Sequence, residues 1–81
     1  MDDKEAMRLL AEYLTPREAE ILMMRFALGY ERKYTLREVA NRISLKTAER
    51  VRQIEKRALE KIEELNSELY QKLMDIVTKG Q

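Results

Sequence analysis

Glu49, Arg50, Arg52, Gln53, Lys56 and Arg57 crowd into one short stretch of an 81-residue chain. Their chemistry suits the edges and backbone of a nucleic acid. Arginine and glutamine form paired hydrogen bonds to guanine and adenine, glutamate accepts from cytosine N4, and the remaining cations neutralise phosphates. On a helix, Glu49, Arg52, Gln53 and Lys56 lie within about 40° of the direction opposite Val51, Ile54 and Ala58, with Arg50 and Arg57 to one side. By residue type alone, the same pattern also describes a solvated face laced with ion pairs.

The charge is unevenly spread. Residues 1–31 sum to −3, residues 32–61 to +6 and residues 62–81 to −2, although the whole chain carries only +1. A basic middle segment in a near-neutral protein is the electrostatic footprint of phosphate contact. Cysteine, histidine and tryptophan are absent. That excludes disulfides, thiol nucleophiles, imidazole bases and the usual zinc sites. Carboxylates are plentiful, but no spacing encloses two of them, so neither an enzyme, a cofactor, a metal nor a small-molecule substrate is expected. No apolar run reaches the roughly 20 residues that span a bilayer, and no signal-peptide pattern opens the chain, so a cytoplasmic location is expected.

The elements that must position these side chains are helices, since two glycines and one proline are too few to punctuate many short strands. A first amphipathic helix is expected over Asp2 to Tyr13. Thr15-Pro16-Arg17-Glu18 and Thr35-Leu36-Arg37-Glu38 are capping boxes that start two more. The second should run from Pro16 to about Leu28 and end on Gly29 in the left-handed conformation. The third should be short, with Leu36, Val39, Ala40 and Ile43 as its stripe, and Thr47 should cap the next. From Val51 to Ile76 the apolar positions recur at steps of three and four within an arc of about 100°. That pattern predicts one helix over about 48–78, with the cap-forming pair Asn66-Ser67 as the place where one helix could instead end and another begin. The fold class expected is all-α, a four- to five-helix domain with a helix-turn-helix and a long C-terminal helix. The domain proper would occupy residues 1–65, with 66–81 a helical extension of the last helix.

Three blocks carry a more specific signal: L-T-P-R-E-A-E-I-L-M-M-R-F-A-L at 14–28, T-L-R-E-V-A at 35–40 and R-V-R-Q-I-E-K-R-A-L-E-K-I at 50–62. In order and spacing they resemble region four of the primary sigma factors, alone or as part of a longer chain. The resemblance implies a domain that binds duplex DNA at the −35 promoter element through its helix-turn-helix and docks on the flap of the RNA polymerase β subunit. It assigns base or near-base contacts to Glu49, Arg52 and Gln53, phosphate contacts to Arg25 and Arg57, and a helix amino end set against the backbone to Thr35 and Leu36. On residue type, Arg25 could equally pair with Glu18 or Glu20. Met23, Met24 and Phe26 fit a flap-binding surface or, more simply, the core of a central helix.

The chain departs from the family pattern at three places. The turn before Glu49 has one residue more than usual and lacks a glycine. Ala48 stands where the family carries an arginine that reads guanine, and the closing basic tail is replaced by Glu60, Glu63 and Glu64. Beyond these, Leu65, Leu69, Leu73 and Ile76 form an apolar ridge with no further chain to cover it. The expectation is self-association as a homodimer through that ridge, or another protein partner there, with fold-back onto the first helix as the rival.

Overall fold

Each helix begins on a side chain that satisfies an otherwise free amide. The structure is a computed structural model and describes residues 1–79, which form α1 (Asp3–Tyr13), α2 (Pro16–Arg25), α3 (Leu36–Arg42), α4 (Ala48–Leu65) and α5 (Ser67–Lys79). Asp2 accepts from the Glu5 amide at 2.8 Å, and Thr47 accepts from the Arg50 amide at 3.1 Å. Both capping boxes close: the threonine oxygens accept from the Glu18 and Glu38 amides, while the two glutamates accept from the Thr15 and Thr35 amides. Thr47, the expected cap, therefore sets where α4 starts and how it enters.

The ends of α2 and α3 follow one device that the sequence reading placed elsewhere. α2 stops at Arg25, short of Leu28, and its first left-handed residue is Ala27 at φ 57°; Gly29 is left-handed as expected, at φ 83°, but lies two residues further on. The Leu28 amide then donates back to the Met23 carbonyl at 2.8 Å. In α3 the left-handed residue is Ser44 at φ 61°, and the Leu45 amide donates to the Ala40 carbonyl at 2.9 Å. Both are Schellman ends, in which the 6→1 bond rather than the residue type fixes the turn. Gly29 serves another purpose. At φ 83° it holds a left-handed conformation that a Cβ would strain, in the loop that runs beside Met7 of α1.

Helix α2 divides the interior into two cores. Ala19 and Leu22, with Phe26 just past the end of α2, pack with Ala6 and Leu10 of α1 and the Leu14 that follows it, Ala58 and Ile62 of α4, and Leu69 and Leu73 of α5. Ile21 and Met24 pack instead with Val39 and Ala40 of α3 and Val51 of α4, forming the core of the helix-turn-helix. Met24 and Phe26 are thus core residues and Met23 is partly buried, which removes the first two from any exposed docking surface. An ion pair fastens α2 to α4: Lys61 Nζ lies 2.9 Å from both carboxylate oxygens of Glu18. Burial pushes the Glu18 carboxyl up, but the hydrogen bonds from Lys61 and the Thr15 amide outweigh it and hold it below the usual range.

The single long helix predicted over 48–78 is broken at Asn66. About 46 Å of straight helix would overrun a body whose longest extent is 32 Å. Asn66 is extended (φ −155°, ψ 94°), its amide closes α4 on the Ile62 carbonyl, and its Oδ1 accepts from the Leu69 amide at 3.0 Å to open α5. The turn lays α5 against α1, with Lys72 Nζ 2.8 Å from Asp3 Oδ1. The ridge of Leu65, Leu69, Leu73 and Ile76 is therefore not free. Leu69 and Leu73 are fully buried, Ile76 is partly covered, and only Leu65 stays exposed, at 57%. This is the fold-back arrangement: within one chain the packing of α5 on α1 covers most of the ridge, so it is not an exposed surface on which two closed chains would meet. Residues 80–81 of the expected extension lie outside the described residues.

Two stability measurements check this packing. Leu73→Ala is expected to cost about 2–5 kcal/mol by denaturant unfolding, as for any enclosed leucine. A loss below about 1 kcal/mol would mean that α5 is peripheral. Ser44→Gly, which removes the Cβ from a left-handed residue, is expected to raise stability by about 1 kcal/mol. A loss would contradict the Schellman end of α3.

Candidate nucleic-acid interface

The face opposite the second core is built by α3, the turn of residues 43–47 and the first half of α4. Val51 is fully buried and Ile54 partly so, which turns Glu49, Arg50, Arg52, Gln53, Lys56 and Arg57 to solvent. Arg50, Arg52, Gln53, Lys56 and Arg57, with Glu60, line one shallow groove along the helix. Thus the helical projection from the sequence and the exposure in the structure select the same side chains.

Within that face the candidate base readers hold one another. Arg52 Nε donates to Glu49 Oε1 at 2.9 Å and Nη2 to Oε2 at 2.6 Å, while Gln53 Nε2 lies at the edge of hydrogen-bond reach, 3.5 Å from the same oxygen. The hydrogen bond from Arg52 holds the Glu49 carboxyl below its usual range. Both partners are more than half exposed, so water and salt compete effectively with the pair and it opens at little cost. Arg50, Lys56 and Arg57 have no ion-pair partner among the described residues.

At α3 the capping box uses the Thr35 and Glu38 amides, leaving those of Leu36 and Arg37 without intrahelical acceptors. The Leu36 side chain itself packs on the second core. Arg32 pairs with Glu38 through two bonds of 3.0 Å. That pair, followed by the Thr35 amide, lowers the Glu38 carboxyl to about 2. Arg37 and Lys46 are exposed cations on α3 and the turn that sequence reasoning did not single out. Their only signal was membership of the basic middle segment.

Arg25, to which the resemblance assigns a phosphate contact, is held by protein groups in this structure. Its Nε donates to Glu55 Oε1 at 2.7 Å and its Nη1 to the Tyr34 carbonyl at 2.9 Å, and the side chain is 29% exposed. It joins α2 to α4 and to the loop before α3. Neither Glu18 nor Glu20 is its partner: Glu18 takes Lys61, and Glu20 accepts from the Tyr30 hydroxyl. The loop of residues 30–34 is pinned. The Tyr34 amide donates to the Met24 carbonyl at 3.0 Å, Tyr30 and Tyr34 meet edge-on at 5.4 Å, and Arg32 stacks 4.2 Å above the Tyr34 ring. The bonds from Arg25 to Glu55 and from Tyr34 to Met24 join residues far apart in sequence, so only the fold reveals them.

This position makes Arg25 testable as a structural residue. Arg25→Met and Glu55→Gln are each expected to lower stability by about 1.5–3 kcal/mol, with a double-mutant coupling near 1 kcal/mol. Unchanged stability in either variant would return Arg25 to the role of a free surface cation.

Comparison with known proteins agrees with the blocks read from the sequence. Residues 10–64 match the family model of sigma-70, region 4. The chain is similar to RNA polymerase sigma factor RpoD of Neisseria gonorrhoeae, 45% identical over 58 residues, which is 72% of this chain and 9% of that protein. It is similar to RNA polymerase sigma factor SigA of Clostridium acetobutylicum at 44% over 59 residues, 73% of this chain and 15% of that protein. RNA polymerase sigma-C factor of Nostoc sp. is 42% identical over 59 residues, 73% of this chain and 14% of that protein. The chain therefore spans only a small fraction of the length of these curated relatives. No solved structure matches at comparable significance. A family match over more than half the chain, on a helix-turn-helix that the structure contains, settles membership: the chain belongs to the sigma-70 region 4 family.

Proposed function

We propose that this domain acts in transcription by binding duplex DNA, with α4 in the major groove of a −35-like promoter element, and that it also contacts RNA polymerase. The observation that carries this reading is the exposed face of α4, where hydrogen-bonding side chains suited to base edges are flanked by unpaired cations, within a sigma-70 region 4 fold. Glu49, Arg52 and Gln53 would face bases, while Arg50, Lys56 and Arg57 would meet phosphates. Thr35 and Leu36 would bring the amino end of α3 to the backbone. Arg25 would contribute by holding α4 rather than by touching DNA. The relatives' names, RNA polymerase sigma factors, support the polymerase contact. Contact with the β-subunit flap is part of the proposal, but Met24 and Phe26 do not supply its surface, since both are buried. A cytoplasmic location follows from this function, and no described helix is long and apolar enough to cross a membrane.

One observation favours a second reading, a protein-interaction module with little base discrimination. Ala48 replaces an arginine of the family pattern, and a paired contact of that kind is worth about 1–3 kcal/mol between bases. The salt dependence of binding to random duplexes and to duplexes bearing a −35-like sequence separates the two readings. Discrimination that survives salt supports promoter reading, whereas a steep salt slope without discrimination indicates phosphate contact alone. Absence of binding to either at low salt indicates the interaction module.

Point variants sharpen the assignment. Gln53→Ala is expected to cost about 1–3 kcal/mol on the preferred site and much less on random DNA. Equal losses on both would contradict base reading. Arg57→Ala is expected to weaken all sequences alike and to lower the salt slope by about one unit. A change of sequence preference would move Arg57 among the base readers.

A further inference from the structure

A single non-helical residue separates α4 from α5, both of which are docked on the same body. Short hinges between packed elements favour exchange of an element between copies, because the closed form must bend sharply where the exchanged form need not. Asn66 is such a hinge in its hydrogen bonding. Its amide still donates to the Ile62 carbonyl at 2.9 Å and its carbonyl accepts from the Tyr70 amide at 3.0 Å, both helical bonds. Only its own torsions, φ −155° and ψ 94°, leave the helical region.

The apolar register across the hinge is the second observation. A bend frees the phase of α5 from that of α4, yet Ile62, Leu65, Leu69 and Leu73 continue the stripe that starts at Val51 without a slip. A straightened chain would therefore keep one apolar face along its whole length. Leu65 is the third. At 57% it is the most exposed large apolar side chain among the described residues, and it adjoins the hinge, where two straightened helices would cross.

We propose that the face which α1, α2 and α4 present to α5 also takes α5 from a second copy of this chain, giving an exchanged dimer in which α4 and α5 form one helix. Straightening carries Leu69 and Leu73 away from their own α1, because such a helix overruns the 32 Å body. The second copy offers the same seat, with Leu10 and Leu14 to receive the two leucines and Asp3 to receive Lys72. Nearly every contact of the closed chain is kept, and two helix-turn-helix units are joined. This inference rests on the hinge and its register and is independent of the DNA-binding proposal.

Two variants of the full chain push the hinge in opposite directions. Asn66→Ala with Ser67→Ala removes the cap and favours a continuous helix. Ser67→Pro fits the first position of α5, where no amide bond is needed, suits an extended residue before it, and bars the helix from running through. Each protein is refolded at concentrations from about 10 μM to 1 mM and sized by light scattering after chromatography, with circular dichroism to confirm folding. The expected result is a dimer in the wild-type chain that grows with refolding concentration and persists for hours after dilution, since release requires α5 to undock. The dimer-to-monomer ratio at a fixed concentration should rise about tenfold or more in the double alanine variant, and the dimer should vanish in folded Ser67→Pro. Any one of three results would overturn the proposal: monomers throughout in both the wild-type and double alanine chains, a dimer that dissociates within minutes of dilution, or a folded Ser67→Pro chain that dimerises like the wild type.

Discussion

Two-sided burial of α2 is the constraint on which the rest of the domain depends. One flank of this ten-residue helix fills the core shared with α1, α4 and α5, and the other fills the core of the helix-turn-helix. Neither core closes without it. Because α4 lines both, its rotation about its own axis is fixed from two directions, and with it the direction of every side chain on its outer face. Arg25 adds a polar fastening at the end of α2, linking Glu55 in the middle of α4 to the Tyr34 carbonyl just before α3. An interface built from long exposed side chains needs such a rigid base, since those side chains bring considerable conformational freedom of their own.

Local chemistry was legible in the sequence wherever the signal and its partner lie within one turn of helix. The two capping boxes, the Thr47 cap and the outward face of α4 all belong to this class, and the three motif blocks added the family. Helix ends were harder to read. Gly29 is left-handed, as its type suggested, but the residues that close α2 and α3 are Ala27 and Ser44, which adopt that conformation because the Schellman bonds and the packing that follows demand it. The stripe from Val51 to Ile76 was genuine periodicity, yet periodicity does not record a bend that preserves phase. What decided the matter was the size of the body against the length of the helix. The partner of Arg25 was illegible for a related reason: Glu55 lies thirty positions away, and only the packing of α2 on α4 brings the two together.

The electrostatics of the outer face are divided by exposure. Cations near the cores are committed: Arg25 to Glu55, Lys61 to Glu18, Lys72 to Asp3. Those on the outer half-turns of α4 are unpaired, apart from Arg52 with its exposed Glu49. The domain thus keeps its internal pairs for holding helices together and leaves a basic strip outward, in a chain whose net charge is only +1. Such a strip gives association that weakens steeply with salt, and any sequence preference must come from the few side chains able to reach base edges.

The most direct test of this account is a titration of isotope-labelled protein with a duplex bearing a −35-like sequence, followed by amide chemical shifts. The account predicts that the largest changes fall in the first turn of α3, the turn of residues 43–47 and α4 as far as Arg57, with α1 and α5 nearly silent. Changes centred on α1 or α5, with α4 unmoved, would contradict it.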